Sequence, residues 1–189
     1  MANKKHIREE IRSEIKKKKQ SFFIQKSPLV VKRLLTMDLF KNVRAVGCYL
    51  SVKKEVQTDK IFDFCRRENI KTFVPAFDET KNTYIWTEYK HNCVLVKGPF
   101  GIPQPAKIKN INKSEIDVFI VPGLAFDFSG ARLGHGKGFF DRLLNGLADK
   151  KVFIVGLAFE FQMVKEIPVE KHDVRMDYIV TDEKIIVCS

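Results

Sequence analysis

The densest group of residues able to do chemistry lies in the segment 122–141. Five of the ten glycines of the chain fall between Gly123 and Gly138, and Arg132 and Lys137 lie among them. Glycines at alternating positions let the backbone approach an anion closely, and the two cations add fixed positive charge. The segment therefore predicts a phosphate-binding loop.

This loop does not follow two common phosphate-binding patterns. A Walker A motif would need glycine where Ala131 stands and serine or threonine where Gly138 stands. A GxGxxG motif beginning at Gly134 would need its third glycine at Phe139. The structural alternative is a glycine-rich turn that only makes room for packing. The arginine, the lysine and a trailing aspartate favour phosphate binding over that alternative.

Asp141 follows the loop, in the first turn of a predicted helix. A carboxylate there could hold a cation bound to phosphates, or could merely interact favourably with the helix N-terminus. A structural metal site built from cysteine and histidine is not expected, because the four cysteines form no CxxC pair and the four histidines no HxH or HxxxH spacing. The cysteines are expected to be reduced thiols.

The overall composition bounds the class of protein. With 189 residues, 44% hydrophobic residues and 16 phenylalanines, the chain is expected to form one domain over residues 1–189. No stretch approaches the roughly 20 apolar residues of a membrane span. The first residues run into charge rather than into an apolar signal segment, so a cytoplasmic protein without membrane contact is expected.

The net charge of +11 points to anionic partners. Residues 1–20 carry eight lysines and arginines against three glutamates, whereas the rest of the chain is only mildly basic. The lysine run 16–19 is more typical of a solvated helix face than of a nucleic-acid contact. An anionic small molecule such as a nucleotide suits the same charge balance.

The elements that must position the loop alternate between helices and strands. Ile7, Ile11, Ile15 and Phe22 predict an amphipathic first helix, and Ser27-Pro28 predicts the start of a second helix that continues through Phe40. Further helices are predicted after Thr58, as its cap, and over Phe139–Leu147. Residues 98–115 are expected to be an ordered loop. Strands are predicted at 45–50, 72–74, 83–86, 118–121, 152–157, 178–180 and 185–187.

This alternation predicts an α/β fold. We expect a mainly parallel sheet flanked by helices on both faces, with an N-terminal helical pair. The short continuous apolar runs at 45–50 and 118–121 are typical of strands buried on both faces.

The segment 122–141 resembles the signature of the 5-formyltetrahydrofolate cyclo-ligase family, P-G-x-x-F-D-x-x-G-x-R-L-G-x-G-x-G-[YF]-[YF]-D. Four other segments resemble family elements in the family's order: residues 4–8 (K-x-x-[LI]-R), 49–58 ([YF]-x-S-x-x-x-E-[VI]-x-T), 102–105 (I-P-[QE]-P) and an acidic C-terminal segment from Ile167 to Asp177. Together these segments span nearly the whole chain, and the central signature is the specific one.

The resemblance implies an ATP- and Mg²⁺-dependent ring closure. ATP phosphorylates the formyl oxygen of 5-formyltetrahydrofolate, N10 attacks the activated carbon, and phosphate leaves to give 5,10-methenyltetrahydrofolate. Lys137 and Arg132 are the expected catalytic cations, and Asp141 and Asp173 match the family's magnesium positions. The expected nucleotide-binding residues are Lys4, Lys5, His6, Ile7, Arg8, Arg132, Leu133, Gly134, His135, Gly136, Lys137, Gly138, Phe139 and Phe140.

For the folate, the resemblance implies a carboxylate that accepts hydrogen bonds from the pterin ring, at Glu55. Phe139-Phe140 stand where the family usually has two tyrosines, which keeps the rings and loses both hydroxyls. Trp86 offers a further ring face. The expected substrate-binding residues are Leu50, Glu55, Gln104, His135, Gly136, Lys137, Gly138 and Phe139.

Two alternatives remain open from the sequence. A nucleic-acid-binding protein would use the basic N-terminal helix, but would leave the glycine loop and Asp141 unexplained. Another phosphate-handling α/β enzyme would use the loop without folate. The favoured interpretation is the cyclo-ligase, acting as a monomer on 5-formyltetrahydrofolate and ATP, without nucleic acid.

Overall fold

The computed structural model describes residues 3–147, 152–170 and 173–188. Its helices are α1 (Lys4–Lys17), α2 (Gln20–Leu35), α3 (Asp59–Arg67) and α4 (Phe139–Leu144). Its strands are β1 (Ala45–Cys48), β2 (Lys71–Asp78), β3 (Thr83–Glu88), β4 (Leu95–Lys97), β5 (Pro103–Pro105), β6 (Val118–Pro122), β7 (Ala125–Asp127), β8 (Arg132–Leu133), β9 (Phe153–Leu157), β10 (Met163–Val164), β11 (Tyr178–Val180) and β12 (Ile185–Val187).

The boundary between the first two helices differs from the prediction. The chain breaks at Lys18, whose backbone is extended, inside the lysine run where like charges disfavour a continuous helix. Phe22 therefore lies on α2, and the prediction that a helix starts at Ser27-Pro28 is wrong. Ser27 fits the middle of α2 because its Oγ donates to the carbonyl of Phe23 at 2.6 Å and accepts from the N–H of Gln57 at 3.0 Å.

Three other local predictions also need correction. Phe40 lies in a separate 3₁₀ helix, Asp38–Asn42, because α2 ends at Leu35. Thr58 does precede α3, but its hydroxyl donates to the carbonyl of Tyr49 at 2.9 Å and makes no cap bond. Helix α4 ends at Leu144, three residues earlier than predicted.

The predicted parallel sheet is confirmed. In the described chain the main sheet has seven strands in the order β12-β11-β9-β6-β1-β2-β3. The central strands β11, β9, β6, β1 and β2 are parallel, and β3 and β12 are antiparallel edges. The continuous apolar runs fall on β1, β6 and β9, the strands at the centre, which need apolar residues toward both faces.

Helices cover both faces of this sheet, as expected. Val118 and Ile120 of β6 pack in one cluster with residues of α2 and α3. The alternate residues Phe119 and Val121 pack in a second cluster with Leu143 and Leu144 of α4. The sheet is therefore buried between two helical layers.

A small second sheet was not predicted from the sequence. Its strands β10, β7 and β8 lie side by side, and β7 and β8 interrupt the glycine-rich segment between β6 and α4. Helix α1 packs on it through Ile7 and Ile11, against Ala125 and Leu133. The N-terminal helical pair is thus divided between two layers, with α1 on the small sheet and α2 on the main sheet.

The segment 98–115 is more regular than the expected loop. It contains β5, which pairs with β4 to form a hairpin, and the 3₁₀ turns Pro99–Gly101 and Lys113–Glu115. Within the described ranges, none of the helices has the length and apolar character needed to cross a bilayer.

Candidate active site

The candidate site is a cleft at the carboxyl ends of β1 and β6. Strand β1 leads to β2 on one side, whereas β6 lies on the other side of β1, so the strand order reverses between them. Such a switch point is the usual ligand crevice of an open α/β sheet. The cleft encloses about 670 Å³ and is lined by residues that follow β1, by Pro122 at the end of β6 and Gly123 after it, and by the glycine loop.

The glycine loop needs glycine at two positions for its backbone path. Gly136 has φ +99° and Gly138 has φ +63°, a left-handed conformation that disfavours any side chain. Gly138 is the N-cap of α4, which begins at Phe139. Helix α1 supports the loop from outside the cleft, where Arg8 Nε donates to the carbonyl of Gly134 at 3.0 Å.

Arg132 and Asp141 form an ion pair at the cleft. A guanidinium nitrogen of Arg132 lies 2.6 Å from Asp141 Oδ1, and the other donates to the carbonyl of Pro122 at 3.3 Å. Arg132 is 8% exposed, and its Nε has no hydrogen-bond partner among the described residues. The arginine is therefore fixed in place with donor capacity left over.

Lys4 and Asp173 form a second ion pair, on the α1 side. Lys4 Nζ lies 2.7 Å from Asp173 Oδ2 and 2.9 Å from Glu170 Oε1. Burial opposes the charged lysine, but the hydrogen bonds to Asp173 and Glu170 outweigh it and raise the pKa of Lys4. Neither Lys4 nor Asp173 is among the residues that line the cleft.

The other predicted nucleotide residues of α1 have different surroundings. Ile7 is buried against the small sheet, and His6 is exposed and lies 3.2 Å from Glu10. Lys5 is exposed at the helix start, where its N–H donates to the side chain of Asn3. Of the segment 4–8, Arg8 is the residue with a hydrogen bond to the glycine loop among the described contacts.

Glu55 lies on the opposite side of the cleft, in the loop after β1. Its Oε2 accepts the N–H of Val52 at 3.0 Å, and Leu50 and Lys53 line the cleft beside it. Burial raises the pKa of the Glu55 carboxyl from 4.5 to about 7. The hydroxyl of Tyr49 donates to the carbonyl of Val56 at 2.8 Å and holds this loop against β1.

Gln104 and Trp86 do not line the cleft. The amide of Gln104 pairs with the backbone of Phe77, accepting its N–H at 2.9 Å and donating to its carbonyl at 3.4 Å. This bond ties β5 to β2. Trp86 is 2% exposed and packs against Phe119 in the core.

Phe139 and Phe140 both line the cleft. The ring of Phe139 lies 4.7 Å from that of Tyr84, and the guanidinium of Arg132 lies 5.7 Å from the Phe140 ring. The remaining loop residues that line the cleft are Gly134, His135, Lys137 and Gly138, whereas Leu133 is buried in the small sheet. Two phenyl faces therefore border the cationic loop.

His135 is held in its neutral form. Burial lowers its pKa, and the charges of Arg12, Arg132 and Arg8 lower it further. A neutral imidazole can contact a ligand, but it adds no positive charge to pair with a phosphate.

Arg12, Lys53 and Tyr84 are among the residues at or beside the site that sequence reasoning missed. Arg12 lies one helical turn after Arg8, on the same face of α1, and this spacing is a signal that could have been used. No sequence signal marks Tyr84, which reaches the cleft because β3 pairs it with Phe77 of β2.

The carboxylates of the described residues show which of them could help to hold magnesium. Within the described ranges, no group of three or more histidine, cysteine, aspartate or glutamate side chains could hold a metal ion. Magnesium commonly uses one or two carboxylates and completes its shell with phosphates and water. Asp141 suits such a role at the cleft, and its present partner is Arg132.

An α/β sheet with a glycine-rich, cationic loop at its switch-point crevice is typical of enzymes that bind phosphate-bearing ligands. Comparison with known proteins makes the class specific. Residues 1–182 match the 5-formyltetrahydrofolate cyclo-ligase family. The chain therefore belongs to this family of ligases.

Two curated relatives align with this chain over nearly the full length of both proteins. The 5-formyltetrahydrofolate cyclo-ligase of Saccharomyces cerevisiae is 30% identical, over 95% of this chain and 95% of the yeast protein. The mouse cyclo-ligase is 25% identical, over 95% and 94%. The NMR structure of Aquifex aeolicus 5,10-methenyltetrahydrofolate synthetase matches with a TM-score of 0.82 and 29% identity, covering 97% of this chain and 92% of that one.

Proposed function

We propose that this chain converts 5-formyltetrahydrofolate to 5,10-methenyltetrahydrofolate with ATP and Mg²⁺, releasing ADP and phosphate. The observation that carries the proposal is the composition of one cleft. The glycine loop with Arg132 and Lys137 forms one side of it, and Glu55 with the loop after β1 forms the other. A phosphate donor and a neutral heterocycle can therefore meet in the same crevice.

On the loop side, the residues serve phosphoryl transfer by position and charge. Lys137 pairs with the phosphoryl group in transit, and Arg132 neutralises charge that develops on it. Gly134, Gly136 and their neighbours bind the nucleotide phosphates, and Arg8 holds this backbone from the α1 side. Asp141 would hold a magnesium ion at the cleft, and the ion would further neutralise the phosphate oxygens; Asp173 is the second carboxylate that the family resemblance suggests for it, now paired with Lys4 outside the cleft.

In the chemical step, the formyl oxygen attacks the γ-phosphorus and ADP leaves. The nitrogen N10 then bonds to the activated formyl carbon, the carbon–oxygen bond to phosphate breaks, and the N10 proton is released. Both steps need the formyl group to be aligned beside the transferring phosphate. The Phe139 and Phe140 rings line the cleft at the end of the loop, and we expect them to pack against the folate ring.

On the folate side, Glu55 accepts hydrogen bonds from the pterin N–H groups and Leu50 packs beside it. An ionised carboxylate is the stronger acceptor. Since its pKa is about 7, the Glu55 carboxyl is partly ionised near neutral pH, and a bound pterin favours ionisation further.

The test follows the near-ultraviolet absorbance of the methenyl product in a mixture of protein, 5-formyltetrahydrofolate, ATP and Mg²⁺. The band is expected to grow when all three reactants are present, and to stay absent when ATP is omitted or when EDTA removes the metal. A folded protein that binds ATP but forms no product refutes the proposed reaction. Cell fractionation and sedimentation test the cytoplasmic location and the monomeric state.

A further inference from the structure

Helix α1 contacts the glycine loop through two arginines, one helical turn apart. Arg8 Nε donates to the carbonyl of Gly134 at 3.0 Å, and a terminal nitrogen of Arg12 donates to the carbonyl of His135 at 3.4 Å. The side chain of Arg12 is otherwise exposed. Neither arginine lines the cleft, whereas Gly134 and His135 do, so the loop lies between α1 and the cleft.

The direction of these two carbonyls fixes the direction of the next two N–H groups. In a planar trans peptide, the C=O of one residue and the N–H of the next point in opposite directions. Because the carbonyls of Gly134 and His135 point toward α1, the N–H groups of His135 and Gly136 point away from α1. In the described part of the chain, neither N–H has a hydrogen-bond acceptor.

Successive N–H groups that face the same way form an anion-binding nest. Such a nest has a residue of negative φ followed by a left-handed one, and Gly136, with φ +99°, supplies the left-handed second position. A Cβ atom added at Gly136 would lie 3.6 Å from the guanidinium carbon of Arg8, so this side of Gly136 faces the arginine.

We propose that Arg12 is a positioning residue: by holding the His135 carbonyl, as Arg8 holds that of Gly134, it turns the His135 and Gly136 N–H groups into the cleft as a nest for nucleotide phosphate. The inference rests on the proposed use of ATP and adds to it a residue outside the cleft. Arg12 acts through the loop backbone and does not touch the nucleotide.

The test compares equilibrium ATP binding of the full chain by calorimetry for four variants. Arg12→Met removes both the hydrogen bond and the charge, Arg12→Gln keeps an N–H donor without charge, and Arg12→Lys keeps both. Lys16→Met is the matched control, because it removes one exposed charge from the next turn of α1.

We expect Arg12→Met to raise the Kd for ATP roughly fivefold, which is the effect of losing one modest hydrogen bond. Arg12→Gln and Arg12→Lys should retain most of the affinity, and Lys16→Met should stay within about twofold. The KM for 5-formyltetrahydrofolate and the Tm should not change. The pKa of His135, followed by NMR, should rise in both Arg12→Met and Arg12→Gln, because Arg12 lowers it by charge.

Three results would overturn the inference. The first is an equal loss in Arg12→Met and Lys16→Met, which would assign the effect to charge alone. The second is loss in Arg12→Gln with retention in Arg12→Lys, for the same reason. The third is a parallel loss of ATP and folate affinity. If the wild type binds ATP without forming the methenyl product, the proposed reaction fails while these comparisons still decide the role of Arg12; if it binds no ATP, both fail.

Discussion

The substitution Glu55→Gln distinguishes two effects of this carboxylate: the cost of its charge to folding stability and its contribution to folate binding. The carboxyl has a pKa of about 7 in the folded protein against 4.5 for the free side chain. Each pKa unit corresponds to about 1.4 kcal/mol, so full ionisation costs up to about 3 kcal/mol of folding free energy. Water reaches part of the side chain, and about 2 kcal/mol is the expected value after screening.

The sign of the pH dependence follows from which state holds the proton more tightly. Below pH 4.5 the carboxyl is protonated in both states and has no effect. As the pH rises, the unfolded chain releases the proton first, so the free energy of unfolding falls until the pH passes about 7. Glutamine cannot ionise, so we expect the variant to exceed the wild type by less than about 1 kcal/mol at pH 5 and by about 2 kcal/mol at pH 8.

Urea unfolding at pH 5 and pH 8 measures this difference, with Glu79→Gln as the control at an exposed glutamate. The KM for 5-formyltetrahydrofolate should rise roughly ten- to hundredfold in Glu55→Gln, from the loss of a charged acceptor, while the KM for ATP stays unchanged. A stability difference that is equal at both pH values would refute the titration argument. Equal loss of both substrates would refute the assignment of Glu55 to folate.

Three further substitutions test other parts of the site. Arg132→Met leaves Asp141 without its cation and should lower the free energy of unfolding by about 3 kcal/mol, measured by urea, together with loss of turnover. Gly136→Ala forces a side chain into a left-handed backbone. It should lower the free energy of unfolding by about 1–2 kcal/mol and raise the KM for ATP. An unchanged KM would argue against a phosphate role for the loop. Tyr84→Phe removes a buried hydroxyl that has no partner among the described residues, so its Tm should be equal to or higher than that of the wild type, and a fall of several degrees would reveal a missed hydrogen bond.

The sequence predicted the main sheet well because its strands are buried on both faces. The apolar runs at 118–121 and 152–157 became β6 and β9 almost residue for residue, since a central parallel strand requires apolar side chains toward both helical layers. Strands β7, β8 and β10 have two or three residues each, which is too short for a pattern of period two. Their pairing depends on partners that are distant in sequence.

For the site, residue type and spacing identified the glycine loop with Arg132, Lys137 and Asp141, and the family resemblance added Glu55. These four side chains line the cleft, together with part of the loop. The bond of Gln104 to the Phe77 backbone was not predictable, because nothing in the residues near Gln104 shows which strand it will meet.

What the sequence determined by itself was therefore local: which segments form the main sheet, and which segment carries the glycines and the charge for phosphate. The tertiary structure alone decided which of these groups meet. The reversal of strand order between β1 and β6 opens the cleft between Glu55 and the loop, and the packing of Ile7 and Ile11 on the small sheet brings Arg8 and Arg12 to the loop carbonyls. Contacts between residues more than a hundred positions apart arise from the folding of the whole chain, and no local pattern encodes them.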